Sequence, residues 1–168
     1  MLFTRSFSIL FLLMLSTIAE SQYTPLRKNI QTNTWEFRQA HTNDWKSVSI
    51  PSSVHTALLQ HKMIEDPYYR DNEEKVQWIE KEDWEYQTTF DVDAVTLQKK
   101  HIELIFKGID TYAHIYLNDS LIAETDNMFM EWRVDVKKLL KPTGNKLHFY
   151  FESPLKKTQA DWDALGYQ

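Results

Sequence analysis

The 168-residue chain contains no cysteine. Disulfides, thiolate nucleophiles and cysteine–zinc sites are therefore excluded. Only three glycines occur, Gly108, Gly144 and Gly166. They lie too far apart for a phosphate-cradling loop or a dinucleotide fingerprint. Positive charge is in deficit, with 19 Lys and Arg against 24 Asp and Glu. A net charge of −5 argues against a nucleic-acid partner, which leaves a basic footprint. No apolar run reaches the roughly 20 residues that span a bilayer. The length also falls short of a (β/α)8 barrel, which needs roughly 250 residues, yet it suits one domain with a real core. None of the six histidines forms a metalloprotease pair, so neither a metal site nor a cofactor is expected.

What is present is globular: 42% hydrophobic and 14% aromatic residues. The first 21 residues read as a signal peptide. Arg5 supplies the positive start, Ile9 to Leu15 is an unbroken apolar run, and Ala19 and Ser21 give a small-x-small cleavage pattern. The expectation is export to the periplasm or medium, or to the lysosome in a eukaryote. A mature chain without cysteine must then draw its stability from its core.

Residues 22–154 read as one mostly β domain. Ile102, Leu104 and Phe106 alternate with His101, Glu103 and Ile105. Leu147, Phe149 and Phe151 alternate with His148, Tyr150 and Glu152, one side inward and one wetter. Trp84–Val92 and Trp132–Val136 are further strands. Tyr112–Leu117 and Leu121–Glu124 flank Asn118-Asp119-Ser120, a hairpin turn. Pro142-Thr143-Gly144-Asn145 is another turn. Short strands at this spacing predict an all-β sandwich or jelly roll. One short helix is expected near 53–61, capped by Ser52 or Ser53. Beyond Pro154 no completed element is readable, and 155–168 reads as the start of a truncated continuation.

The stretch Asp66–Asp83 has no clean period and is long for a plain connection, which favours a functional loop. It mixes carboxylates, amide and aromatic rings, the chemistry of a sugar site. Asn72, Glu73, Trp78 and Glu80 are the candidates for contact with sugar or a cleft. Tyr68, Tyr69 and Trp84 are candidates for packing against another domain. The bland alternative is a solvated acidic edge over packed aromatics. Trp35, Trp45, Trp84 and Trp132 lie in or beside strands and read as core. Asn118 opens an Asn-x-Ser sequon, a possible glycosylation site in a host that glycosylates.

Four blocks of residues carry a family resemblance. They are Trp35-Glu36-Phe37-Arg38; Ile50-Pro51-Ser52-Ser53-Val54-His55-Thr56-Ala57-Leu58-Leu59; Asp66-Pro67-Tyr68-Tyr69-Arg70-Asp71-Asn72-Glu73 with Val76-Gln77-Trp78-Ile79-Glu80 and Asp83-Trp84-Glu85-Tyr86; and Phe106-Lys107-Gly108-Ile109-Asp110-Thr111-Tyr112-Ala113 with Thr125-Asp126-Asn127-Met128-Phe129 and Glu152-Ser153-Pro154. In this order they resemble the N-terminal domain of β-mannosidases of glycoside hydrolase family two. Ser52 stands where that family's pattern has glycine. The resemblance implies a jelly-roll, sugar-binding-type domain in a retaining enzyme that acts on β-mannoside oligosaccharides. The two catalytic glutamates lie in a downstream barrel, so no catalytic residue is expected here and the barrel domains are the implied partners. Trp162-Asp163 lies near the place of the family's Trp-Asp-Trp loop but lacks its glycine context. The alternatives are a free-standing carbohydrate-binding module, a purely structural sandwich, or a β-galactosidase or β-glucuronidase of the same family.

Overall fold

The computed structural model describes residues 27–31 and 33–166, without the side chains of residues 160 and 161. The expected signal peptide lies outside the described residues. Among the described residues eight strands run β1 (Trp35–Gln39), β2 (Lys46–Val48), β3 (Trp84–Phe90), β4 (Glu103–Lys107), β5 (Ala113–Leu117), β6 (Ser120–Thr125), β7 (Glu131–Asp135) and β8 (Asn145–Phe151). Six of them form one antiparallel sheet in the order β2-β1-β3-β8-β5-β6, and β4 pairs with β7. The domain is an all-β sandwich.

Period-two alternation builds it. Phe37, Tyr86, Phe149 and Ile115 occupy one cross-strand row, and all four are buried on the inner face. Leu104 and Phe106 on β4 point back at them, while Glu103, Ile105 and Lys107 face out. Phe106 meets Phe149 edge-on with ring centroids 5.7 Å apart, which joins the two sheets. Each fully buried large side chain contributes about 1.5–3 kcal/mol, so this shared core holds the fold without disulfides.

The expected helix is α1 (Val54–Gln60), and Ser53 is its cap, accepting from the Thr56 amide. Three more helices appear: α2 (Asn72–Val76), α3 (Ala94–Leu97) and α4 (Pro154–Leu165). The correction is largest for α4, because the tail beyond Pro154 was expected to hold no completed element. Its signals are terminal rather than periodic. Ser153 caps it by accepting from the Lys156 amide, Pro154 opens it, and Gly166 closes it at φ 72°. Its composition has no strong apolar face, so hydrophobic periodicity stays silent there. The hairpin turn is tighter than read. Only Asn118 and Asp119, both at positive φ, lie between Leu117 and Ser120.

Candidate functional site

The irregular loop folds as α2 and a single 3-10 turn at Ile79–Lys81, whose Val76 and Ile79 enter the core. Asn72 is buried. Its Nδ2 donates to the Asp66 carbonyl at 2.9 Å, and its Oδ1 accepts from Lys75 Nζ at 2.9 Å. The amide therefore holds the loop together, because both its ends are spent inside the chain. Glu73 and Glu80 are exposed. Trp78 is partly exposed, and its ring lies 6.0 Å from that of Trp84. With Met63, Ile64 and Val76 it walls a cleft of about 190 Å³, rimmed by the Lys75–Glu65 ion pair. That volume is below the roughly 300 Å³ where small-molecule sites usually begin, so the cleft takes part of a ring.

Of the packing candidates, Tyr68 is 98% exposed and Tyr69 is half out, with Arg70 stacked over its ring. Trp84 does not belong with them. It is buried on β3, and its Nε1 donates to the Ile79 carbonyl at 3.1 Å. The ring fills this domain's own core because it sits on the inner face beside Tyr86. Asn118 likewise turns inward. Its Nδ2 donates to the Leu139 carbonyl at 2.8 Å and to Asn145 Oδ1 at 3.1 Å, while its Oδ1 accepts from the Lys146 amide. Both amide hydrogens of the sequon are thus committed within the folded chain.

A second constellation lies on the outer face of the six-stranded sheet. Arg38 and Glu85 are directly opposite on β1 and β3. Arg38 Nη2 donates to Glu85 Oε2 at 2.8 Å, and Nη1 to the Thr42 carbonyl at 2.6 Å. Its guanidinium also stacks on Trp45 at 4.3 Å. Glu85 meets His148 Nε2 at 2.9 Å through the same oxygen. Burial alone would push the Glu85 carboxyl up. Hydrogen bonds and charge from Arg38 and His148 outweigh it and hold the group below its ordinary value.

Nearby, Asp83 accepts from Tyr150 Oη at 2.8 Å and from the Ser153 amide at 2.8 Å. Here too burial pushes up and is outweighed, by those two bonds and Lys156. Burial, helped by the bond to Asp83, pushes the Tyr150 phenol up to about 12. His114 sits between Glu124 at 3.0 Å and Glu152 at 3.4 Å. Trp45, read as core, belongs to this half-exposed face instead, because it packs on Arg38. The sequence signal for the face was the wetter side of the β8 alternation, His148 and Tyr150. The partners from β1 and β3 become visible only through the register.

Among the described residues, every aspartate and glutamate whose affinity for protons departs clearly from the ordinary is shifted downward. No group of three His, Asp or Glu there is placed to hold a metal ion.

Comparison with known proteins agrees with this architecture. Residues 35–168 match the family model described as glycosyl hydrolase 2 galactose-binding domain-like. β-Mannosidase B of Thermothelomyces thermophilus is 40% identical over 122 residues, covering 71% of this chain and 14% of that protein. The β-mannosidase of Rattus norvegicus is 35% identical over 122 residues, 73% of this chain and 14% of that protein. The crystal structure of the β-D-mannosidase of Dictyoglomus thermophilum superposes with a TM-score of 0.76 at 41% identity, over 77% of this chain and 16% of that one. The chain thus spans about one-seventh of the length of the curated relatives it matches. With its sandwich and its sequence in agreement, the chain belongs to the glycosyl hydrolase 2 galactose-binding domain-like family.

Proposed function

We propose that this chain forms the noncatalytic N-terminal sandwich domain of an exported β-mannosidase, an enzyme that removes terminal β-D-mannose from the non-reducing ends of β-mannosides. The observation that carries the reading is the similarity itself. Enzymes named β-mannosidase share 40% and 41% identity with this domain over 71% and 77% of the chain. The noncatalytic part rests on the same similarity: the two catalytic glutamates that the resemblance implies lie in a barrel downstream of this domain.

In this reading Tyr68 and Tyr69 pack against the rest of the enzyme, since exposed tyrosines anchor interfaces at low entropic cost. Glu73, Trp78 and Glu80 border the substrate cleft. Asn72 serves them indirectly by holding α2 in place.

The test is hydrolysis of a chromogenic β-D-mannoside. The purified 168-residue chain is expected to give no turnover. A complete polypeptide carrying this domain is expected to cleave the mannoside and to leave a β-glucuronide and a β-galactoside intact. Turnover by the chain alone overturns the noncatalytic role. Cleavage of either other glycoside in preference to the mannoside overturns the substrate.

A further inference from the structure

Asn118-Asp119-Ser120 is the one Asn-x-Ser/Thr tripeptide of the sequence, and it turns the β5–β6 hairpin. The polar atoms of its asparagine are spent on a single neighbour, the segment that leads through Leu139 into β8. The Asn118 backbone amide donates to the Lys146 carbonyl at 2.9 Å. Its Oδ1 accepts from the Lys146 amide at 3.0 Å. Its Nδ2 carries two hydrogens, and these go to the Leu139 carbonyl at 2.8 Å and to Asn145 Oδ1 at 3.1 Å. Asn145 is itself fully buried, and Leu139 packs against the core. The Asn118 side chain is thus a clasp between the hairpin and the start of β8.

Glycan transfer needs the same nitrogen. From an oligosaccharide carried on a lipid diphosphate, a transferase joins the sugar C1 to Nδ2. The bond from C1 to the diphosphate oxygen breaks, the lipid diphosphate leaves with the electron pair, and Nδ2 gives up one proton. A bulky pyranose then stands where one of the two hydrogens stood. On one side it has to enter the space of the Asn145 side chain, and on the other that of the Leu139 carbonyl. Either way the clasp loses a bond, and an acceptor built into the fold loses its donor. Before residues 139–146 are in place none of these bonds exists, and Nδ2 is open. Asn118 precedes Asn145 by 27 residues, so a growing chain carries the sequon before it can close the clasp.

We infer that Asn118 is a modification site of the unclosed chain alone: N-glycosylation at this sequon and docking of the β5–β6 hairpin onto β8 exclude each other. The inference is independent of the enzyme assignment.

The experiment is production of the full chain in a eukaryotic secretory host, fused behind a leader of that host. Limited proteolysis separates folded from unfolded molecules, and intact mass before and after an N-glycan amidase reads occupancy. The protease-resistant wild-type fraction is expected at the unmodified mass, with any glycan confined to the sensitive fraction. Ser120→Ala, which removes the sequon and keeps the clasp, is expected to lose that glycan and to keep wild-type stability. Leu147→Asp puts a charge at a buried position of β8 and prevents closure, and the form glycosylated at Asn118 is expected to become the main one. Phe129→Thr makes a second sequon at Asn127, an exposed residue between β6 and β7. Its glycan is expected in the resistant fraction.

A protease-resistant wild-type fraction with native circular dichroism that carries glycan at Asn118 overturns the inference. Leu147→Asp left unmodified at Asn118 also overturns it, because the fold is then not what guards the site.

Discussion

Arg38 and Glu85 stand opposite each other on neighbouring antiparallel strands, 2.8 Å apart, on the side of the sheet that faces away from the core. Glu85 is nonetheless almost fully buried, with Arg38, itself stacked on Trp45, and His148 both bonded to its carboxylate. Removing Arg38 therefore strands a desolvated charge. Arg38→Met is expected to cost roughly 3 kcal/mol, the scale for breaking one side of a buried pair. The double change Arg38→Met with Glu85→Gln is expected to recover part of it. Urea midpoints of the three proteins measure both effects.

The same carboxylate gives a pH signature. Glu85 and Asp83 are both held below their ordinary values of 4.5 and 3.8. On acidification the unfolded chain takes up these protons first. Their stabilisation is thus complete above the ordinary values, falls away below them, and is gone once the depressed folded values are passed. Thermal unfolding of wild type and Glu85→Gln is expected to converge as pH drops through that window. Parallel curves would sink the assignment.

Asn145 is fully buried and makes four hydrogen bonds. It donates to the Phe90 and Lys141 carbonyls and accepts from the Lys141 amide and Asn118 Nδ2. Asn145→Ala removes all four bonds, Asn118 Nδ2 keeping only its bond to the Leu139 carbonyl, and a loss of about 3 kcal/mol or more is expected. Faster hydrogen exchange at the Lys141 amide locates the damage. Asn118→Asp, which removes two donors, is expected to destabilise in the same direction by a smaller amount.

Two of the aromatic packing candidates, Trp84 on β3 and Tyr68 in the preceding loop, are expected to part company. Trp84→Ala empties a core position and should cost about 3–5 kcal/mol. Tyr68→Ala, at a nearly fully exposed position, should stay within about 0.5 kcal/mol in the isolated chain. Calorimetric midpoints separate them.

Ser153 serves two partners at once. Its Oγ accepts from the Lys156 amide and donates to the Glu80 carbonyl at 2.5 Å. Ser153→Ala is expected to cost about 1–2 kcal/mol and to lower helical ellipticity as α4 loses its cap.

The strands were legible because alternation reports which side of a strand is wet. Leu147, Phe149 and Phe151 against His148 and Tyr150 is such a record, and so is the Asn118-Asp119 turn. The α4 helix was not legible, since its information lies in three terminal residues and not in a repeat. Trp84 carries two readings, core at the start of a strand and packing against another domain; the structure bears out the first. The register then fixes which partners its ring meets. The outer-face network was hidden for a related reason. Arg38, Glu85 and His148 lie 47 and 63 residues apart, and nothing local ties them together.

The position of β8 has a bearing on how the chain is made. This strand, the last of the eight, lies between β3 and β5 at the centre of the large sheet. Until residue 151 leaves the ribosome, β2-β1-β3 and β5-β6 are two fragments, each with a bare edge. The strand that welds them is thus the last of the described strands to be made, and a nascent chain halted before that point keeps both edges open to other chains.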